Sequence, residues 1–368
     1  MEKNISVIGV GRLGICVALV LEKFGYNVLG SDVIREYVDS INNKTLVSPE
    51  PSVTDMLLQS KNFKATTSLE EILTFSDTIF IYVATPSSGG EKHYDHTTLG
   101  NVLSSINKLR VSNKHIVIGC TVIPGYCRDV ANFLVRDCQN TTVSYNPEFI
   151  AQGDIVNGIL KADFILIGEG SPEAGDRLEK IYKTVSPEVS INRMSPSSAE
   201  ITKLGVNCFI TTKVAFANMI GDLADVSPGA DKFDILKAIG SDSRIGQKYL
   251  KPGYGFGGPC FPRDNRALGG YIKKMGLEPL IPEATDISNR LHTKFQIDKL
   301  LESDIKEITI SGVSYKENCR VPIIEESQKL VIAKKLAESS VKVTVEDYPN
   351  ILHNVMLEYG DLFTYKCL

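Results

Sequence analysis

The chain has 368 residues, with 40 Lys or Arg against 44 Asp or Glu, for a formal net charge of −4. Such a balance offers no basic surface, which argues against nucleic acid and against an anionic membrane as partners. Hydrophobic residues make up 43% and charged residues 23%, ordinary for a globular chain of two or three domains.

The longest fully apolar stretches, such as residues 15–21, fall short of the roughly 18–20 residues that a membrane span needs. The start, Met1-Glu2-Lys3-Asn4-Ile5, carries an acidic residue and runs straight into an apolar strand, unlike a secretory leader. The eight cysteines are Cys16, Cys120, Cys127, Cys138, Cys208, Cys260, Cys319 and Cys367. They form no C-x-x-C pair and no Cys/His cluster at zinc spacing, so no metal is expected and a cytoplasmic chain of reduced thiols is.

Residues 5–9 read as a strand, 12–24 as a helix and 27–31 as a second strand. Apolar strands follow at 78–84 and 116–120, then at 142–145 and 164–167. Strands alternating with helical stretches predict βαβ crossovers and a parallel sheet covered on both faces, a doubly wound α/β domain of the Rossmann type. From about Ser195 the texture changes. Residues 198–225 form a long Pro-free run with apolar residues at helical spacing, a spine between domains or across a homodimer interface. The Gly/Pro-rich segment 251–262 marks an ordered loop, and helical pattern resumes over 264–274 and 282–301. A second βα series then begins, with strands at 307–311 and 341–346, a helix at 325–339, and further elements at 351–358 and 362–365. Three strands fall short of a full doubly wound sheet, so a partial C-terminal α/β domain is expected. The expected domains are 1–194, 195–302 and 303–368.

Gly9-Val10-Gly11-Arg12-Leu13-Gly14 sits at the seam between the first strand and the first helix, and Asp32 lies at the end of the second strand. Gly9 permits the tight turn, Gly11 lets the backbone approach a pyrophosphate, and Gly14 allows close packing of helix on sheet. The phosphates then face the helix N-terminus. Asp32 would accept from the adenosine ribose hydroxyls and repel a 2′-phosphate, which favours NAD. Arg12 and Arg35 are the residues that could instead help a 2′-phosphate. The fourth strand ends in Thr85-Pro86, at the rim where the second half of a dinucleotide would lie; an ordinary strand stop explains the pair as well. Thr121 occupies the same rim.

The most specific stretch is Gly253-Tyr254-Gly255-Phe256-Gly257-Gly258-Pro259-Cys260-Phe261-Pro262-Arg263-Asp264. A cysteine inside a Gly/Pro loop is poorly explained as packing. A helix starting near Asp264 would set its positive end and Arg263 beside the thiol and favour the nucleophilic thiolate.

This loop resembles that of the UDP-glucose/GDP-mannose dehydrogenase family, and the resemblance extends over roughly residues 3–345. Matching segments include residues 42–51, Asn146-Pro147-Glu148-Phe149, Lys203-Leu204-Gly205-Val206-Asn207 and Ser243-Arg244-Ile245-Gly246. The resemblance implies a Rossmann domain, a central helical domain and a C-terminal sugar-nucleotide domain. It implies NAD-dependent four-electron oxidation of a nucleotide sugar at C6, UDP-glucose to UDP-glucuronate foremost, with two NAD+ used per product. Cys260 matches the covalent nucleophile. Lys203 and Asn207, four apart on one helix face, match the oxyanion partners. Asp264 matches a carboxylate that handles protons, Thr121 a hydroxyl that positions water, and Glu148 the general base for thioester hydrolysis. Glu148, Phe149, Lys203, Asn207, Arg244, Lys251, Tyr254, Phe256 and Gly257 match substrate contacts, Arg244 being lent across a subunit interface. Gly9, Gly11, Arg12, Leu13, Gly14, Asp32, Thr85, Thr121, Gln152 and Arg263 match the cofactor site.

Several positions depart from the family pattern. Tyr37 stands where a basic residue is usual, Gln152 where a glutamate is, and Ile323 where an arginine contacts cofactor. Lys316 keeps its place, whereas Arg320 lies out of register. The catalytic set thus matches throughout while the cofactor and nucleotide grips look eroded. Two other readings stay open: the same chemistry on GDP-mannose or a UDP-hexosamine, or a non-catalytic homologue that binds NAD or pairs with an active subunit.

Overall fold

The computed structural model describes residues 3–88, 94–150, 152–316 and 321–368; Cys319 and Arg320 lie outside the described residues. The chain separates into two compact units, Met1–Lys203 and Leu204–Leu368, and the boundary falls inside one long helix.

The first unit is built on eight strands: β1 (Asn4–Ile8), β2 (Asn27–Ser31), β3 (Phe63–Thr66), β4 (Thr78–Ile81), β5 (His115–Ile118), β6 (Thr142–Tyr145), β7 (Ile165–Gly168) and β8 (Ile191–Met194). They lie in the order β3-β2-β1-β4-β5-β6-β7-β8. Strands β1 to β6 are parallel, as the alternation of strand and helix predicts. The β6–β7 pair is antiparallel, which corrects the expectation of a wholly parallel sheet. The connection into β7 carries only the six-residue helix Ile155–Leu160, about 9 Å long, too short to carry the chain back across the sheet.

Alternation along each strand sorts the core onto two faces. Ile5, Val7, Val28, Phe80 and Val117 pack on one side; Ile8, Ile79, Ile81, Ile116 and Ile118 pack on the other. Every residue of β4 and β5 is buried, which is why both read as continuous apolar runs. Such a sheet delivers its strand ends, and the loops beyond β1, β4, β5 and β6, to one carboxyl edge.

The second unit contains the remainder of the long helix Pro196–Asp225 and the helices Lys232–Ser241, Phe261–Lys274 and Leu280–Glu302. It ends in a parallel sheet of β9 (Glu307–Ser311), β10 (Lys342–Asp347) and β11 (Thr364–Cys367), ordered β11-β10-β9. Ile297 joins Ile310, Leu330, Val343, Val345 and Ile351 in its core, which fastens the helix Leu280–Glu302 to this sheet.

By length and composition alone, the long helix could cross a membrane, and among the described residues it is the one helix that passes this test. Its polar residues Lys203, Asn207, Thr211 and Asn218 are nevertheless buried within the protein. Its apolar Phe209, Phe216, Met219 and Leu223 are exposed instead.

Candidate active site

In the first unit, the turn after β1 is shaped by two close approaches. Gly9 has φ +85°, and its amide and that of Val10 both donate to the Ser31 carbonyl. A Cβ on Gly14 would stand 1.9 Å from the Gly9 oxygen, so helix and turn touch there. Around Gly11, by contrast, a Cβ would meet nothing within 4 Å. Gly11 caps the helix Arg12–Lys23, which has no side-chain cap and no acidic residue in its first turn. The first amides of a helix lack intrahelical acceptors, so this end presents donors to open space. Asp32 follows β2, its Oδ1 accepting from the Ile34 amide at 3.2 Å. An open glycine, an uncapped helix end and a carboxylate after the second strand fit the pyrophosphate and ribose of NAD.

Tyr37, the departure from a basic residue, donates its hydroxyl to the Val10 carbonyl at 2.9 Å and so braces the turn. Burial pushes that phenol up to about 12. Arg35 is engaged with Thr67 Oγ1 at 2.7 Å, and Arg12 donates to Gln152 Oε1. Leu13 lies in the first turn of the same helix. Thr85 Oγ1 donates to the Thr121 carbonyl at 2.9 Å, which ties the rims after β4 and β5 together.

Glu148 follows β6, and Tyr82 and Tyr182 reach its Oε1 at 3.5 and 3.4 Å. The Tyr182 hydroxyl also donates to Asn146 Oδ1 at 2.5 Å. Burial raises the Glu148 carboxyl to about 7, against the lowering effects of Tyr182, Lys203 and Tyr82. Lys203 Nζ donates at 2.8 Å to the backbone carbonyl of Glu148 and lies 4.6 Å from the centroid of the Phe149 ring. Thus Glu148, Phe149 and Lys203 come together in the first unit.

In the second unit, Cys260 is exposed and caps the helix Phe261–Lys274. The helix begins three residues earlier than the sequence suggests, because Pro262 sits in its first turn, where the missing amide costs nothing. The cysteine therefore stands at the positive end itself. Asp264, almost fully buried, bonds back to the Cys260 carbonyl through its amide at 2.8 Å. Its carboxylate takes Asn207 Nδ2 at 2.6 Å and Arg263 Nε at 3.3 Å. Lys203 and Asn207 are thus bonded to different partners in this structure, one to Glu148 and one to Asp264. Cys208, beside Asn207, points its thiol at the Asp264 carbonyl, and burial pushes it up to about 12.

A cavity of about 290 Å³ opens against the same loop, lined by Tyr249, Lys251, Tyr254, Tyr315, Lys316 and Lys329 among others. Lys329 Nζ lies 5.0 Å from the centroid of the Tyr254 ring and donates to the Ser311 carbonyl at 2.8 Å. Phe256 is buried, with both its backbone groups bonded to the side chain of Asn289. Gly257 approaches the Glu326 carbonyl so closely that a Cβ would come within 2.2 Å. Ile323 makes backbone bonds only, to Tyr315, Ser314 and Val321, among the described contacts. Arg244 is apart from these groups: its side chain is 86% exposed and pairs with Asp242. Among the described residues, no group of three or more His, Cys, Asp or Glu is placed to hold a metal.

Sequence reasoning passed over Tyr82, Tyr182 and Lys329. Tyr82 had a signal, a polar tip at the rim end of an apolar strand; the other two had none.

Residues 3–186 match the NAD binding domain of the UDP-glucose/GDP-mannose dehydrogenase family, and residues 197–290 match its central domain. The chain is similar to a UDP-glucose 6-dehydrogenase of Rickettsia bellii, 33% identical over 358 residues, covering 94% of this chain and 80% of the relative. It is 27% identical to a GDP-mannose 6-dehydrogenase of Pseudomonas savastanoi, over 89% of this chain and 78% of that one. Its fold is similar to that of a solved UDP-glucose dehydrogenase from Pyrobaculum islandicum, with a TM-score of 0.90 and 28% identity over 99% of this chain and 86% of that one. With an NAD-binding Rossmann unit and the central domain both matched, this chain belongs to the UDP-glucose/GDP-mannose dehydrogenase family of NAD-dependent oxidoreductases.

Proposed function

We propose that this protein oxidises the C6 alcohol of a nucleotide sugar to the carboxylate, with UDP-glucose as substrate, through a thioester on Cys260. The observation that carries the reading is the contrast among cysteines. Cys260 is exposed at a helix N-cap, whereas Cys16, Cys120, Cys127, Cys138 and Cys208 are buried and the exposed Cys367 lies in a strand, at no helix end. A thiolate at a helix N-terminus is a nucleophile; a buried thiol is not.

NAD, when bound, accepts the hydride in each of the two oxidations. The thiolate of Cys260 adds to the C6 aldehyde, forming the C–S bond and moving an electron pair onto oxygen. Lys203 and Asn207, one turn apart on the long helix, donate to that oxyanion. Loss of the remaining C6 hydrogen as hydride leaves the thioester. Water then attacks with Glu148 as base and Thr121 positioning it, the C–S bond breaks, and Cys260 leaves as thiolate. Asp264, held by Asn207 and Arg263, serves the proton relay. Lys251, Lys316 and Lys329 suit a diphosphate, and the neighbouring tyrosines suit a base or sugar face. None of these contacts selects uracil over guanine, so a GDP-sugar or UDP-hexosamine is the second reading.

The exposed apolar residues Phe209, Phe216, Met219 and Leu223 recur at intervals of seven, three and four along the long helix. That spacing supports a homodimer formed through this helix, to whose partner the exposed Arg244 would reach. The division into domains at 1–194, 195–302 and 303–368 belongs to the same proposal, as does a cytoplasmic setting in which the thiols stay reduced. The test is NADH absorbance with a panel of UDP- and GDP-sugars, scored for two NADH per sugar. NAD binding without oxidation of any sugar would instead indicate a non-catalytic homologue.

A further inference from the structure

The helix Leu280–Glu302 carries a polar ridge, Asn289, His292, Thr293 and Gln296, spaced so that all four share one face. Asn289, His292 and Thr293 are buried. Two of them, with Gln296, grip the backbone of the loop that precedes Cys260. Asn289 holds the Phe256 amide and carbonyl, each at 2.9 Å. His292 Nε2 lies 2.8 Å from the Gly253 carbonyl, and Gln296 Nε2 reaches the same oxygen at 3.2 Å. From the long helix, Asn218 takes the Gly253 amide at 3.0 Å.

Pro252, Gly253 and Tyr254 line the cavity of about 290 Å³ on one side and a larger one of about 560 Å³ on the other. The loop is therefore a wall shared by both, and its grips Asn218, His292 and Gln296 line the larger one.

His292 differs from the amides in this ridge. Its Nδ1 lies 2.9 and 2.8 Å from the two carboxylate oxygens of Asp222, and its Nε2 faces a carbonyl. Both ring nitrogens thus face acceptors, and both bonds exist only when both nitrogens carry hydrogen. The other charged or titratable groups lining this spot are Asp225, Lys232, Lys299 and Tyr254. Asp225 is already paired with Lys232 at 3.1 Å and with Lys299 at 2.9 Å, so these charges satisfy one another.

We propose that His292 is a positioning residue: its ring, donating from both nitrogens, ties the Gly253 carbonyl to Asp222 and so fixes the wall of the substrate cavity. The assignment of that cavity rests on the nucleotide-sugar reading above; the clamp on the loop does not. Without a hydrogen on both nitrogens one of the two bonds is lost, leaving two acceptors face to face.

The first measurement needs no substrate. Hydrogen exchange of the Gly253 and Phe256 amides, expressed as protection factors at one pH, should fall about tenfold in His292→Gln, whose single amide cannot bridge both acceptors, and in Asp222→Ala. Asp222→Asn should keep the wild-type protection, because the new amide donates to Nδ1 while Nε2 donates to Gly253. The second measurement is steady-state kinetics with UDP-glucose. At one pH, KM for the sugar should rise about tenfold in His292→Gln with kcat and KM for NAD steady, and Asp222→Asn should keep the wild-type KM. Protection that is unchanged in His292→Gln, or that is lost equally in Asp222→Asn and Asp222→Ala, overturns the clamp. Exchange that follows the expected pattern in a protein that oxidises no nucleotide sugar supports the clamp and overturns the functional reading.

Discussion

Lys203 meets Glu148 through the backbone: its ammonium donates to the Glu148 carbonyl oxygen at 2.8 Å, while the Glu148 carboxyl lies buried against Tyr82 and Tyr182. The lysine thus fixes where the carboxyl stands without neutralising it directly. Burial wins over the nearby charge, and the carboxyl is raised to about 7.

A carboxyl raised in the folded state favours folding while it is protonated. That contribution is complete below its unfolded value, about 4.5, and is lost as pH rises through about 7. Glu148→Gln should therefore gain stability relative to the wild type between pH 5 and pH 8, by up to about 3 kcal/mol. Urea unfolding at several pH values reads this directly, and parallel stability curves for the two proteins would refute it. The same variant should stall acid formation with the thioester still attached, since no base remains for the water.

Gly11 and Gly14 belong to one turn but should fail differently. Gly14→Ala drives a methyl into the Gly9 carbonyl, a backbone atom that cannot yield, and should cost about 3 kcal/mol or more. Gly11 has φ −63°, which suits any residue, and its Cβ direction is open. Gly11→Ala should keep its melting temperature and lose at least about tenfold in NAD affinity, near 1.4 kcal/mol. Calorimetry that finds equal NAD affinity would remove the pyrophosphate from this spot.

How much of this was legible in the sequence depends on burial and on distance along the chain. Strands β4 and β5 are buried on both faces and announce themselves as apolar runs. Strands β3 and β8 stand at the two ends of the sheet, carry Lys64 and Arg193, and leave no such run. The glycine turn and the Cys260 loop are legible because each is a local pattern with one physical explanation. Tyr182 is not, because a tyrosine on an amphipathic helix looks the same whether or not it meets a glutamate 34 residues away. His292 hides for the same reason, since its partners Asp222 and Gly253 are 70 and 39 residues distant.

Asp32 should make the protein bind NAD+ more tightly than NADP+, because its carboxylate would repel a 2′-phosphate. Arg35 is already held by Thr67 and is not the ready counter-charge its sequence position suggests. Asp32→Ala should narrow the preference by about tenfold, or 1.4 kcal/mol. Tighter wild-type binding of NADP+ in calorimetry would overturn the role given to Asp32.

The apolar stripe on the long helix should be a dimer interface. Phe216 and Leu223 are 41% and 58% exposed, a costly state for two large side chains on one helix face. Introducing Phe216→Glu and Leu223→Glu together should convert a dimer to a monomer in light scattering. A wild type that is already monomeric and fully active at assay concentration would remove both the interface and the reach of Arg244 to a neighbour.

Cys260 should be the covalent nucleophile, and its replacement should separate the two oxidations. Cys260→Ser keeps a weak nucleophile with a poor leaving group, so an oxygen ester or a stalled adduct should accumulate on the protein. Cys260→Ala should abolish acid formation with little change in melting temperature, since an exposed loop cysteine contributes little packing. Cys208 is the internal control. It is buried against Asp264 on the adjoining helix, so Cys208→Ala should lower stability by about 1–2 kcal/mol and leave the covalent step in place. Mass spectrometry of the enzyme during turnover, with NADH counted per sugar consumed, distinguishes these outcomes. Full acid production by Cys260→Ala would end the thioester mechanism, and Glu148 would then have to serve a different intermediate.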